Sequence, residues 1–178
     1  MIALVTGANN SGKSAFAQTL IERLSQGGPL IYIATMRPYG EEGLSRVKRH
    51  KLAREGLGYT TLELPESLAG AAILGDAIPR DAGVLLEDVS NLLANRMFRL
   101  GEKDCAGAVF SEIRALAAWC RHLVIVTISG ATLAGQHDEE TAAYIAALLD
   151  VNDRLLALSD VAMETQEGKP RIRKGELP

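Results

Sequence analysis

The chain has 178 residues, in which 19 lysines and arginines stand against 22 aspartates and glutamates, so its formal net charge is −3. So small a net charge excludes a protein held to nucleic acid mainly by bulk positive charge. The apolar runs are far shorter than the roughly 20 residues of a membrane span, and no basic segment precedes the first of them, as a secretory signal would require. The two cysteines, Cys105 and Cys120, have no metal or redox spacing. We therefore expect one soluble cytoplasmic domain over residues 1–178.

Short apolar runs alternate with longer amphipathic segments in the first half of the chain. A run that ends at a glycine or a turn predicts a buried strand, whereas apolar residues spaced three and four apart predict a helix. We predict strands at Ile2–Thr6, Leu30–Thr35 and Tyr59–Leu64, and helices at Ser14–Ser25, at Glu41–Arg54 and from Pro65 onward.

The second half continues this alternation. We predict strands at Gly83–Glu87 and Leu123–Thr127, helices at Ser90–Leu100, Cys105–Cys120 and Glu139–Leu158, and a closing pair of strands at Val161–Thr165 and Arg171–Lys174. Uninterrupted apolar strands separated by helices indicate an α/β fold, with a mostly parallel sheet and helices on both faces. The glycine turn around Gly168 predicts that the last two strands form an antiparallel hairpin at one edge.

The segment Gly7-Ala8-Asn9-Asn10-Ser11-Gly12-Lys13-Ser14 matches the phosphate-loop pattern G-x-x-x-x-G-K-[ST] between a predicted strand and a predicted helix. The two glycines let the loop curl, so that successive backbone N–H groups point at phosphate oxygens. The first turn of the helix adds unpaired N–H groups and the positive end of its dipole. Lys13 supplies a charge for the β and γ phosphates, and the Ser14 hydroxyl can ligate Mg²⁺. The motif predicts a site for a nucleoside triphosphate.

A carboxylate at the end of a second buried strand is the usual complement of a phosphate loop, because it holds the metal from the other side. Glu87 is the last residue of the predicted strand Gly83–Glu87, and Asp88 follows it. The other interpretation is an acidic N-cap for the next helix, which suits Asp88 better than Glu87. We therefore predict that Glu87 is the residue on the metal side.

The segment from Arg46 to Arg54 contains five basic residues and His50 within nine positions. On a helix, Arg46, His50 and Arg54 fall at i, i+4 and i+8 and share one face. Such a face suits triphosphate oxygens, and a histidine within it could attack phosphorus. From charge alone, the simpler interpretation is a solvated basic helix whose histidine has no role.

Several motifs in fixed order resemble the bifunctional adenosylcobinamide kinase/adenosylcobinamide-phosphate guanylyltransferase family of cobalamin assembly. They are the early phosphate loop, the strand Ile31-Tyr32-Ile33-Ala34-Thr35, and Arg46-Val47-x-x-His50-Lys51-x-x-Arg54, followed by Tyr59-Thr60-Thr61-Leu62-Glu63, Leu85-Leu86-Glu87 and Ser90-Asn91-Leu92-Leu93-Ala94-Asn95. The likeness covers about the first 100 residues well, and the order of elements thereafter. A phosphate-loop GTPase would instead carry an N-K-x-D motif, which this chain lacks.

The resemblance implies a phosphate-loop NTPase fold with a RecA-like sheet, commonly in a homotrimer, and two reactions at one nucleotide site. A γ-phosphate from ATP or GTP passes to the aminopropanol hydroxyl of adenosylcobinamide. GTP then gives GMP to an active-site histidine, and the phosphorylated cobinamide takes it up to form adenosylcobinamide-GDP. Mg²⁺ is the implied metal.

Carried over by position, the resemblance makes His50 the guanylylated nucleophile, with Lys13 as the second catalytic residue. The loop from Gly7 to Ser14 would hold the triphosphate, and Ser14 and Glu87 would hold the metal. Further nucleotide contacts are implied for Thr35, Met36, Arg37, Lys51, Leu52, Ala53, Arg54, Glu63 and Glu87.

Two positions depart from the family's pattern. Ile128-Ser129 stands where an Asn-Glu pair usually follows the strand Leu123–Thr127, and Asn9-Asn10 occupies loop positions where many members carry an arginine. Two alternatives therefore stay open: a phosphate-loop kinase of a small alcohol without nucleotidyl transfer, and a nucleotide-binding regulatory paralogue.

Overall fold

The computed structural model describes residues 1–69, 77–129, 135 and 137–177. The helix predicted from Pro65 onward falls largely on residues 70–76, which lie outside the described residues. The strands are β1 (Ile2–Gly7), β2 (Leu30–Ala34), β3 (Tyr59–Glu63), β4 (Gly83–Glu87), β5 (His122–Val126), β6 (Val161–Gln166) and β7 (Lys169–Lys174). The α-helices are α1 (Lys13–Ser25), α2 (Gly40–Arg54), α3 (Val89–Ala94), α4 (Ala106–Trp119) and α5 (Glu139–Leu158).

The described strands form one seven-stranded sheet in the order β3-β2-β4-β5-β1-β6-β7. All neighbouring pairs are parallel except β6 and β7, which form an antiparallel hairpin at the edge. The two turn residues of this hairpin, Glu167 and Gly168, both have positive φ, of 50° and 76°, as a tight turn that matches strand twist requires. The predicted fold class, a mostly parallel phosphate-loop sheet with an antiparallel edge, is confirmed.

The core lies in two layers because successive side chains of each strand point to opposite faces of the sheet. One layer packs α1 against the sheet through Ala17, Leu20 and Ile21. The other packs α4 and α5 against the opposite face, where their fully buried residues are Val109, Ile113, Leu116, Leu148, Val151 and Leu155. The interior strand β4 is buried at every position, which explains the uninterrupted apolar run that precedes Glu87.

The segment predicted as one helix, Ser90–Leu100, is only partly α-helical in the structure. The α-helical part, α3, ends at Ala94, and Asn95–Arg99 continues as one turn of π-helix. The Asn95 side-chain amide donates to the carbonyls of Thr35 and Pro65 at 2.9 and 2.8 Å. A π-turn inserts one extra residue into a helix and is often found near functional sites; here it lies beside the end of β2.

None of the helices in the described ranges is both long and apolar enough to cross a membrane.

The close approach of α1 to β4 depends on Gly83. A Cβ at this position would overlap the Ser25 Oγ and lie 3.1 Å from the Ile21 Cδ1. We predict that Gly83→Ala lowers the free energy of unfolding by about 1–3 kcal/mol, the usual cost of overpacking a core. The matched control is Gly107→Ala in α4, where the nearest atom, of Arg154, is 4.0 Å away. This variant should be neutral or stabilising by up to about 1 kcal/mol. Urea unfolding measures both, and equal shifts in the two variants would contradict the assignment.

Candidate active site

The phosphate loop joins the end of β1 to the start of α1 and is curled by its own backbone. Gly12, at the N-cap of α1, has a φ of 85°, a left-handed conformation that favours glycine. The Ser11 N–H donates to the Ala8 carbonyl at 3.2 Å, and the Lys13 ammonium donates to the same oxygen at 3.1 Å. The loop therefore has the concave shape that the motif predicts, with the helix N-terminus at its base.

The hairpin of β6 and β7 supports the loop from behind. Thr165, on β6, donates through Oγ1 to the Thr6 carbonyl at 3.1 Å and is hydrogen-bonded to the Ser11 hydroxyl at 2.8 Å. The Gly168 N–H at the hairpin tip donates to the Ser11 carbonyl at 2.9 Å. Gly7 has no room for a side chain, because a Cβ there would overlap both hydroxyls. The edge hairpin thus fixes the loop in its curled form.

Glu87 ends β4 and contacts the loop across the intervening strand β5. Its Oε1 accepts a hydrogen bond from the Ser14 hydroxyl, and its Oε2 accepts one from the Tyr32 hydroxyl at 3.2 Å. The next residue, Asp88, caps α3 by accepting from the Asn91 N–H at 2.8 Å. Glu87 thus faces the phosphate loop and Asp88 caps a helix; that Glu87 holds the metal stays a prediction.

Thr35 ties the ends of β2 and β4 together. Its N–H donates to the Glu87 carbonyl at 3.0 Å, its hydroxyl donates to the Asp88 carbonyl, and the Asp88 N–H donates back to that hydroxyl, both at 2.7 Å. The Thr35 side chain is therefore fully engaged within the protein, at 0% exposure.

Helix α2 brings His50 and Arg54 to the same place. The His50 Nδ1 lies 3.4 Å from the Tyr32 hydroxyl and 3.6 Å from the Glu87 Oε1. The Arg54 guanidinium is stacked on the Tyr32 ring, with 3.3 Å between its Cζ and the ring centroid. Burial raises the pKa of the Tyr32 hydroxyl, and the Glu87 carboxylate raises it further, so Tyr32 stays protonated and donates. Arg46 was predicted to share this face with His50 and Arg54, but its side chain lies outside the part of the chain that the structure describes.

Arg54 is 8% exposed, and its Nε is the one buried side-chain nitrogen or oxygen among the described residues that has no hydrogen-bond partner. A buried donor without an acceptor costs about 1–3 kcal/mol. An anionic ligand in the cavity that Arg54 lines would supply an acceptor.

These groups surround one cavity of about 730 Å³. The predicted site residues that line it are Asn9, Asn10, Ser11, Gly12, Lys13, Ser14, Met36, His50, Lys51, Arg54, Glu63 and Glu87. The remaining predicted site residues do not line it: Gly7, Ala8, Thr35, Arg37, Leu52 and Ala53. Arg37 pairs with Glu66 at the surface, and Leu52 is 59% exposed. Lys51 and Glu63 form an exposed pair at the rim, 3.4 Å apart, which contributes little to stability.

Several residues in or beneath the cavity were not predicted from the sequence, and three of them carry polar groups that bear on the site. Tyr32 and Asn91 line it, and Thr165 supports the phosphate loop. Tyr32 carries a faint signal, since it is a hydroxyl-bearing side chain within an otherwise aliphatic strand. Thr165 carries none, because its role depends on the pairing of β6 with β1.

A comparison with protein families shows the family of this chain. Residues 3–171 match the family described as cobinamide kinase / cobinamide phosphate guanyltransferase. The chain belongs to this family. It is 34% identical over 140 residues to the bifunctional adenosylcobalamin biosynthesis proteins CobU of Salmonella typhimurium and of Escherichia coli, matching 71% of this chain and 74% of each relative.

Among solved structures, the chain is similar to the P4 protein from bacteriophage phi6 in complex with ADP. The TM-score is 0.44 at 20% identity, and the match covers 96% of this chain but only 53% of the P4 chain, about half its length.

The departure at Ile128-Ser129 lies beside the phosphate loop. The Ser129 N–H donates to the Gly7 carbonyl at 3.2 Å, and the Asn152 amide of α5 donates to the Ile128 carbonyl at 3.0 Å. The Asn152 carbonyl oxygen accepts from the Thr127 hydroxyl at 2.9 Å. An asparagine from α5 thus holds the end of β5 by its side-chain amide in this member of the family.

The support of the phosphate loop by Thr165 gives a prediction. Thr165→Val keeps the shape of the side chain but removes both hydrogen bonds, so it should lower the free energy of unfolding by about 1–3 kcal/mol. It should also weaken binding of a nucleoside triphosphate, because Ser11 loses its anchor. Thr165→Ser, which keeps the hydroxyl, is the control. Calorimetric titration with GTP and urea unfolding test the pair, and equal behaviour of the two variants would show that the hydroxyl has no such role.

Proposed function

We propose that this chain carries out two successive transfers at one nucleotide site. In the first, the aminopropanol hydroxyl of adenosylcobinamide attacks the γ-phosphorus of ATP or GTP, loses its proton, and releases the nucleoside diphosphate. In the second, GTP transfers GMP to His50 with loss of pyrophosphate. The phosphate of adenosylcobinamide phosphate then displaces the histidine, which yields adenosylcobinamide-GDP and the free enzyme.

The observation that carries the proposal is that His50 shares one cavity with the phosphate loop. A kinase that uses only a phosphate loop needs no nucleophilic side chain, since the substrate hydroxyl attacks phosphorus directly. Here an imidazole on α2 contacts Glu87, which in turn contacts Ser14 of the loop. A histidine so close to the triphosphate site can form a covalent bond to phosphorus.

The kinase half rests on the phosphate loop. The Lys13 ammonium and the N-terminus of α1 offer positive charge to the β and γ phosphates, which is where negative charge accumulates during phosphoryl transfer. Lys13 is 7% exposed and therefore acts in a medium of low polarity, where its charge is less screened than in water.

The transferase half rests on His50 and its neighbours. The imidazole attacks phosphorus through the free electron pair of a ring nitrogen, and it lines the same cavity as Arg54 and Lys13. Arg54, with its unpartnered Nε, is placed to bind a phosphate oxygen.

Mg²⁺ fits the residues at the base of the cavity. The Ser14 hydroxyl and the Glu87 carboxylate meet there, and both are oxygen ligands of the kind that Mg²⁺ prefers. In the part of the chain that the structure describes, no cluster of three or more His, Cys, Asp or Glu could hold a metal by itself. That suits an ion which arrives with the nucleotide and takes most of its ligands from phosphates and water. When bound, Mg²⁺ would neutralise charge on the phosphates.

We also propose that the enzyme works in the cytoplasm, where ATP and GTP are available, and as a homo-oligomer, with three subunits as the family resemblance implies.

Guanylylation of His50 is the direct test. The protein is incubated with Mg²⁺ and GTP labelled at the α-phosphate, denatured, and assayed for label that acid removes and base does not. We predict label in the native protein and in His122→Ala, but not in His50→Ala, and none when EDTA replaces Mg²⁺. His122 is a matched control because it begins β5. It therefore lies where the parallel strands start, whereas the phosphate loop lies where they end.

The binding of GTP to His50→Ala, measured by equilibrium dialysis, shows whether the variant keeps its nucleotide site. Equal label in His50→Ala and native protein would contradict the proposed nucleophile. Native protein that binds GTP but takes up no label would contradict the transferase half and favour the small-alcohol kinase.

A further inference from the structure

Tyr32 has a hydroxyl in a place where packing does not require one. It lies within β2 between Ile31 and Ile33, and the three are 4%, 3% and 0% exposed respectively. A phenylalanine would fill the same space without the cost of removing a hydroxyl from water. Instead, the hydroxyl donates a hydrogen bond to the Glu87 Oε2 at 3.2 Å, at the base of the cavity. It also lies 3.4 Å from the His50 Nδ1.

The strand register explains how the hydroxyl reaches these partners. Tyr32 pairs with Leu85 of the parallel strand β4, and Glu87 lies two residues farther along, on the same face of the sheet. The tyrosine ring spans this distance toward the carboxyl edge of the sheet.

Arg54 fixes the other side of the ring. Its guanidinium covers the ring at 3.3 Å, and it lies one helical turn after His50 on the same face of α2. Among the α2 residues whose side chains the structure describes, Arg54 alone is buried. The helix is therefore held to the sheet chiefly by polar and charged side chains. Two of these contacts are made with Tyr32, by Arg54 on its ring and by His50 at its hydroxyl.

We propose that Tyr32 is a positioning residue that holds His50 by its Nδ1, so that the Nε2 is the atom that attacks the nucleotide. This inference rests on the proposed function, because it assigns a part in the guanylyl transfer.

The hydrogen-bonding capacity of the hydroxyl selects the atom. A tyrosine hydroxyl has one hydrogen, and here it donates that hydrogen to Glu87, so toward His50 it can only accept. The Nδ1 must then carry a proton, and a neutral imidazole with its proton on Nδ1 has its free electron pair on Nε2.

Each of the two displacements at the α-phosphorus forms one bond to phosphorus and breaks one. The Nε2 electron pair forms the bond to the α-phosphorus while the bond from that phosphorus to the bridging oxygen breaks, and pyrophosphate leaves with the electrons. The Nδ1 proton stays in place, and the positive charge on the substituted ring is opposed by Glu87, 3.6 Å from Nδ1. A phosphate oxygen of adenosylcobinamide phosphate then forms the new bond, and the electron pair returns to Nε2.

Tyr32→Phe tests the role, because it keeps the ring and its contact with Arg54 but removes the hydroxyl. We expect the single-turnover rate of His50 guanylylation at saturating GTP to fall by about ten- to a hundredfold, as for other residues that orient a functional imidazole. The GTP dissociation constant should change by less than about threefold. The control is Tyr59→Phe, another strand tyrosine whose hydroxyl donates to a glutamate, Glu22, at 3.2 Å. Its rate should match that of the native protein.

A second measurement reads the position of the proton and does not depend on activity. The chain has three histidines, so ¹⁵N-histidine labelling with His50→Ala as reference assigns the ring of His50. Long-range ¹H–¹⁵N correlation at alkaline pH, where imidazoles are neutral, should show the proton of His50 on Nδ1 in native protein and in Tyr59→Phe. In Tyr32→Phe it should be distributed over both nitrogens.

The two measurements separate the possible failures. A proton on Nε2 of His50 in the native protein overturns the inference, even if Tyr32→Phe does not fold. A Tyr32→Phe variant that folds and is guanylylated at the native rate also overturns it. Absence of guanylylation in native protein contradicts the proposed function instead, and the proton position would still test the contact between Tyr32 and His50.

Discussion

The Glu87 carboxylate is the contact on which the arrangement of the site depends. It accepts from Ser14 of the phosphate loop and from Tyr32 of β2, and it faces His50 of α2. A carboxylate 8% exposed is costly to bury unless it is hydrogen-bonded, so the groups that satisfy it stabilise one another. The same carboxylate therefore links the phosphate loop with His50, the proposed nucleophile.

This linkage follows from the sheet. Parallel strands end at one edge, so the loop after β1, the turn after β2 and the carboxylate of β4 all meet there. Helix α2 joins them differently, since the hydrophobic effect does little to hold it. Its contacts with the sheet are the Arg54 stack on Tyr32 and the approach of His50 to the Tyr32 hydroxyl.

Much of the site was predictable, for reasons that differ from residue to residue. The phosphate loop and Glu87 could be found because strong local patterns mark them: a glycine-lysine loop after a strand, and a carboxylate that ends an apolar run. His50 could not be placed by charge alone, which favoured a solvated helix, and only the family resemblance assigned it a role, which stays a prediction. Tyr32 and Thr165 act through strands that pair far apart in sequence, so the only local mark is the single hydroxyl of Tyr32 within an aliphatic strand, and Thr165 has none. The π-turn after Ala94 was missed because helical periodicity does not reveal a single inserted residue.

The central claim is that one bound nucleotide meets both the phosphate loop and His50. A crystal structure with Mg²⁺ and a GTP analogue that resists cleavage between the α and β phosphates tests it most directly. The account predicts that the β and γ phosphates lie in the loop and that His50 Nε2 lies about 3–3.5 Å from the α-phosphorus, the distance of a group ready to attack. A nucleotide seated in the loop with His50 turned away, and with the Nδ1 nearer to phosphorus than the Nε2, would contradict it.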